Sequence, residues 1–186
     1  LRISSTVNCS DFFLFLIGII VRFNIIYFIM IEQIYTYFTT EMLFFWVNLG
    51  VLPFWFLIIF FPQSQLCKYL ATSIIPISLL SVTYCFVLYK SYMDSYDFFG
   101  NFELYLGINY LSNLFESNLY LVLFWIHFVS INLFVGGWIL KDSQKLLMNR
   151  FFVTLPLIVT YLIGPIGLLL YWIIRIFYSK SLSLYE

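Results

Sequence analysis

The chain has 186 residues, of which 63% are hydrophobic and 10% charged, with a mean hydropathy of +0.98. Soluble domains carry about 25% charged residues, so this chain cannot keep a water-facing surface and is expected to be an integral membrane protein. Nine basic residues balance nine acidic ones, and no basic block speaks for nucleic acid.

Crossing the hydrocarbon takes about 20 mostly apolar residues, and five stretches qualify, at 12–31, 42–61, 70–89, 118–140 and 151–174. The first, "FFLFLIGIIVRFNIIYFIMI", carries Arg22 and Asn24 near its middle. A central Arg facing lipid costs about 2.5–3.5 kcal/mol on insertion scales. Arg22 is therefore expected to meet a partner, unless the segment lies partly in the interface. The other four stretches are clean. Between the second and third of these lies "SYMDSYDFFGNFELYLGINYLSNLFESN" (91–118), too polar to cross and too aromatic for a free loop. It is expected to lie along the membrane surface or to fold over the helices as a lid.

These elements predict an all-α integral membrane fold. It consists of a four-helix transmembrane bundle, an extra N-terminal hydrophobic helix, and an aromatic interfacial segment between the second and third core helices. The expected divisions are an N-terminal extension at 1–40, a four-helix membrane domain at 41–178 and a tail at 179–186. If all five segments cross, one side carries Arg2, Lys68, Lys141, Lys145 and Arg150, and the other Lys90, Arg175 and Lys180. That five-to-three split sets the N-terminus on the positive side.

Ala71 is the only alanine, against 23 Phe and 15 Tyr. Transmembrane interfaces favour small residues, so their scarcity is not a membrane requirement. It reads as the codon signature of an AT-rich genome, most simply an organelle's. Cys9, Cys67 and Cys85 match no metal spacing and are expected to act as apolar filler. No phosphate loop, dinucleotide fingerprint, zinc-protease motif or nucleophile elbow is present, so hydrolase, kinase and zinc-enzyme functions have no support.

The polar residues that stand out lie in "WIHFVSINLFVGGWILKDSQ" (125–144). His127 is the chain's single histidine. In a helix it shares a face with Ser130 and Ile131, and Asn132 turns about 140° away from it. A polar group at this depth must find a partner. For His127 two readings stay open: a hydrogen bond that fixes helix packing, or a proton-handling or pigment-facing group. A third is axial ligation of a chlorophyll or haem, which needs only one imidazole and an apolar pocket. Gly136-Gly137 and Gly164-Pro165-Ile166-Gly167 bring small residues to two spans, where backbones can approach closely.

Three blocks, "LFFWVNLGVLPFWFLIIFFP" (43–62), "WIHFVSINLFVGGWILKDSQ" (125–144) and "IGPIGLLLYWIIR" (163–175), together resemble the ABA-deficient-four-like family. The resemblance implies a small four-helix membrane protein, and its plant founding member is required for making neoxanthin from violaxanthin. Asn48, Pro53, Trp55 and Pro62 match the family's first block. His127, Phe134, Gly136, Trp138, Asp142 and Gln144 match the second, and Gly164, Pro165 and Gly167 the third. Where the family pattern carries an Asp, this chain has Asn132.

The resemblance implies a carotenoid-associated protein of the lipid bilayer in a plastid, thylakoid or envelope, with carotenoid or chlorophyll as a bound pigment. If it isomerises an epoxy-carotenoid it needs no redox cofactor, only an acid for the epoxide oxygen and a base for a ring-side proton. His127 is the candidate for one role, and Asp142, Glu103 or Glu116 for the other. Asn48, Asn132, Trp138 and Gln144 would hold pigment or pack as polar pairs. Gly136, Gly137, Gly164, Pro165 and Gly167 would make helix contacts. The alternative is a non-catalytic accessory subunit of a photosystem or other large organellar complex, the mitochondrial inner membrane included, with Arg22 touching a neighbouring subunit.

Overall fold

The computed structural model of the chain describes residues 22, 25–26, 38–93 and 105–179. The chain divides into two compact units, Leu1–Leu43 and Phe44–Glu186. Of the expected first span only Arg22, Ile25 and Ile26 are described, and all three are helical and exposed. The rest of 12–31, Glu103 and the last seven residues lie outside the described residues.

The described residues are all-helical, with α1 at Thr40–Phe60, a π-helical turn at Cys67–Ala71 and α2 at Ile75–Met93. After these come α3 at Ile108–Phe115, α4 at Asn118–Lys145, α5 at Arg150–Leu162 and α6 at Gly164–Ser179. Among the described residues three stretches are long and apolar enough to cross a membrane: Thr40–Phe60, Cys67–Met93 and Asn118–Lys145. Between 22% and 33% of each is buried inside the protein. The outward surface is large and apolar, with residues such as Phe45, Trp46, Phe56 and Phe134 more than half exposed. In water such a surface would drive aggregation, so lipid is its solvent. In α3, Ile108, Leu111 and Phe115 share one face while Asn109, Ser112 and Asn113 take the other.

The stretch expected to cross once at 151–174 does not form one helix. It forms two, α5 and α6, that run antiparallel as a hairpin. The ring of Phe152 in α5 lies 6.4 Å from that of Tyr178 in α6. Nearer the tip, a Cβ on Gly167 would collide with the Thr160 backbone. The break falls at Ile163, which leaves the helix with φ −142° and ψ 73°. Two residues on, Pro165 cannot donate to a preceding carbonyl, and its ring disfavours helix at the residue before it. The 13 residues of α5 and 16 of α6 reach about 20 and 24 Å at 1.5 Å per residue. Both fall short of the roughly 30 Å hydrocarbon.

The hairpin also corrects the charge tally. Arg175 returns to the end where α4 finishes and contacts Asp142 there. At that same end Arg150 donates to the Phe60 carbonyl and Gln144 to the Pro62 carbonyl, both at 3.0 Å. Lys68, Lys141, Lys145, Arg150 and Arg175 therefore gather at one end of the bundle. Among the described residues of Phe44–Glu186, Lys90 is the cation at the other end. The asymmetry is steeper than five to three, which strengthens the sorting of this basic end to the positive side.

Between α4 and α5 the chain turns through Leu147, a non-glycine residue with φ 52°. The Met148 amide donates to the Ser143 carbonyl at 3.0 Å, closing a six-to-one turn that normally places glycine at this left-handed position. Leu147 is 89% exposed, so its side chain loses little by removal. Leu147→Gly is expected to raise the thermal midpoint in detergent, with a gain of about 1 kcal/mol from relieved backbone strain.

Candidate functional site

Every candidate polar residue of the second block lies on α4, and the helix places them at three depths. At the basic end, Asp142 Oδ2 accepts from Arg175 Nε at 2.7 Å and from the Tyr171 hydroxyl at 2.6 Å. The side chains of Arg175 and Asp142 are 6% and 12% exposed. Tyr171 is fully buried and sets its ring edge against Trp138, with centroids 5.7 Å apart. Tyr171 and Arg175 share a face of α6 because they stand four residues apart. The cluster ties α4 to the hairpin, and the Asp142 oxygen it uses is occupied. Gln144 is engaged as well, by the Pro62 carbonyl.

At mid-depth Asn132 is 4% exposed, and its Nδ2 has no hydrogen-bond partner. Its amide lies against Gly164 at the hairpin tip, where a Cβ would collide with Oδ1. The Asn therefore seats the tip rather than facing a cavity. A Cβ on Gly136 would come 2.6 Å from the Trp55 indole, whereas Gly137 has open space. Gly136 is thus a helix contact and Gly137 is not. Trp55 continues the packing edge-on to Tyr161, at 5.4 Å.

The third level is nearer the start of α4. Asn48 is fully employed: its Oδ1 accepts from Trp125 Nε1 at 3.1 Å and its Nδ2 donates to the Phe44 carbonyl at 2.7 Å. His127 is different. It is exposed, and among the described residues it makes no hydrogen bond, ion pair or ring contact. It lines a groove of about 440 Å³ between α2 and α4 with Ser81, Tyr84, Cys85, Ser130 and Phe134. Ser130 is used internally, donating to the Ile126 carbonyl at 2.6 Å. The Tyr84 hydroxyl, like the imidazole, bonds nothing among the described residues.

The structure holds two of the expected acid–base partners apart. His127 and Asp142 stand 15 positions apart on one helix, about 22 Å at 1.5 Å per residue. One epoxide cannot touch both. Glu116 is exposed at the C-cap of α3, and Glu103 lies outside the described residues. Sequence reasoning missed Tyr84, Tyr171 and Arg175. For the last a signal existed, since an Arg closing the apolar run "IGLLLYWIIR" demands a counter-charge.

A family model described as ABA DEFICIENT 4-like matches residues 42–171, well over half of the chain. The chain belongs to this family. No curated protein and no solved structure gives a match. The part matching the ABA DEFICIENT 4-like family runs from the start of α1 to Tyr171 in α6. It includes the α2–α4 groove, the Asn132–Gly164 contact and the Asp142–Tyr171 bond. Arg175 falls four residues beyond it, and the match takes in only the last two residues of the first compact unit, Leu1–Leu43.

Proposed function

We propose that this chain seats an oxygenated carotenoid in the α2–α4 groove and isomerises its epoxy end there, with Tyr84 as acid and His127 as base. The observation that carries the proposal is the pair of unpartnered hydrogen-bonding side chains in a groove that opens towards lipid. In hydrocarbon each unpaired polar group costs several kcal/mol, so an occupant carrying its own oxygen stabilises both. The family's link to neoxanthin names the chemical class, and a plastid membrane is where such a substrate dissolves.

The chemistry needs no redox cofactor. Tyr84 gives its proton to the epoxide oxygen as the ring C–O bond opens, and His127 takes a proton from the carbon beside the ring. Return of that proton from imidazolium to phenolate resets the site, and the product is an isomer of the substrate. Asp142 has no part in these steps, because its Oδ2 is already bonded to Arg175 and Tyr171. A second reading is favoured by the separate N-terminal unit, nearly all of it outside the family match. In that case the chain is an accessory subunit, and a neighbouring protein rather than a pigment covers His127.

Purified chain in lipid nanodiscs, supplied with violaxanthin, tests the two. The expected result is bound carotenoid and an allenic product, with His127→Ala and Tyr84→Phe each slowing conversion by about 100-fold or more. Glu116→Gln should leave the rate unchanged. A folded chain that neither binds nor converts the pigment, and that comigrates with a large complex from native membranes, replaces the enzyme with the subunit.

A further inference from the structure

We infer that the basic end of the bundle binds an anionic membrane lipid, with Lys68 and Arg150 holding its headgroup and Ile59 and Leu147 lying beside one acyl chain. These residues line a single cavity of about 520 Å³ among the end of α1, the π-helical turn, the end of α4 and the start of α5. Its wall has two characters. Ile59 and Leu147 present open apolar surface above the packed Ile58, Leu140, Val153 and Leu157, none of the four more than 5% exposed. The mouth is polar and cationic, with Gln63 and Gln144 beside the two cations.

Two of those mouth residues are held in place by the end of α1. Arg150 Nη2 donates to the Phe60 carbonyl and Gln144 Nε2 to the Pro62 carbonyl, both at 3.0 Å. An α-helix leaves its last carbonyls without intrahelical partners, so the Arg150 bond satisfies α1, and the Gln144 bond ties down the turn that follows it. One guanidinium nitrogen is used this way, and its other donors remain for an anion. No acidic side chain lines the cavity. Asp142, on the neighbouring turn of α4, is paired with Arg175. Lys68 has no acidic partner among the described residues.

Charge without a counter-charge above an apolar floor is a pattern that fits an amphiphile. Basic pockets between helices on the positive side of a membrane hold anionic headgroups, at about 1 kcal/mol per Lys or Arg. A free phosphate or carboxylate would use the mouth and leave the floor unfilled. A zwitterionic lipid would bring its own cation against Lys68 and Arg150. The committed ligand is therefore a bilayer lipid with a net negative headgroup.

Full-length chain in detergent is offered phosphatidylglycerol, phosphatidylcholine of matched acyl chains, or glycerol phosphate without chains, and bound lipid is counted by native mass spectrometry. Phosphatidylglycerol should bind about thirtyfold more tightly than phosphatidylcholine, from the two cations together. Glycerol phosphate should not displace it. Lys68→Gln should reduce the preference about fivefold. Ile59→Asn, which makes the apolar wall polar, should weaken phosphatidylglycerol binding without touching a cation. Lys145→Gln, outside the cavity, should change the preference less than twofold. Equal affinity for the two lipids overturns the inference. So does displacement by glycerol phosphate at the lipid's own concentration, which marks a free-anion site. Equal losses from Lys145→Gln and Lys68→Gln mark diffuse surface charge and overturn it too.

Discussion

Arg175→Met is expected to lower stability by about 3–5 kcal/mol, the usual cost of leaving one member of a buried ion pair alone. Asp142 would remain about one-eighth exposed at the end of α4, with the Tyr171 hydroxyl still donating to it. Asp142→Asn should be comparably harmful, because it removes the carboxylate charge that the buried guanidinium bonds. A loss of this size is a large fraction of a typical 5–15 kcal/mol fold. Both single variants should accumulate poorly in membranes and melt early in detergent. Replacing the pair together, as Asp142→Leu with Arg175→Met, should recover part of the loss, since an apolar isostere of a buried pair is often neutral while the Tyr171 hydroxyl loses its acceptor. Tyr171→Phe removes one bond to a charged group and should cost about 1.5–3 kcal/mol. The double variant also separates structure from chemistry. If it folds and still converts carotenoid, Asp142 is a tie between helices. If it folds and conversion vanishes, the carboxylate takes part after all.

The spans were legible because length and hydropathy decide them. The expected 42–61 became Thr40–Phe60, 70–89 became Ile75–Met93 with the π-helical turn before it, and 118–140 became Asn118–Lys145. The hairpin was not legible by the same rule. A 24-residue apolar run satisfies the hydrocarbon whether it crosses once or folds back at its middle. What decides between them is local: Ile163 outside the helix, Pro165 without a donor, and glycines that let the returning helix approach. Pro165 reads as a kink when considered alone. It becomes a turn together with Ile163 and the glycines beside it, and the Asp142–Arg175 pair then closes at the basic end.

At the site, Asp142 and Asn132 were visible as polar residues out of place, but their partners were not. A helical wheel gives angles on α4 and does not say which neighbour each angle meets. Asn132 thus met a glycine backbone and Asp142 an arginine 33 residues on. His127 met nothing within the described residues. Tyr84 gave no signal, being one of 15 tyrosines on a span whose register against α4 only packing reveals.

Gly167→Ala should open the hairpin, and this is the second large effect. Its Cβ would fall onto the Thr160 backbone rather than onto a movable side-chain tip. Overpacking costs about 1–3 kcal/mol, and more where backbone must yield. Gly136→Ala should cost less, because the Trp55 ring can shift. Gly137→Ala and Gly50→Ala, each with open space around the new Cβ, should be neutral or gain about 0.5–1 kcal/mol from helix propensity. Ranking these four by thermal midpoint shows whether close backbone approach or mere glycine content holds the hairpin. Topology supplies the sharper readout. In a background with the native cysteines replaced by serine, Leu147→Cys and Ser179→Cys should react with an impermeant thiol reagent from one side, and Tyr92→Cys from the other. Labelling of Ser179→Cys from the side of Tyr92→Cys would mean that residues 150–179 cross in a single pass. The Asp142–Arg175 pair could not then form, because about 24 Å of helix would separate its members.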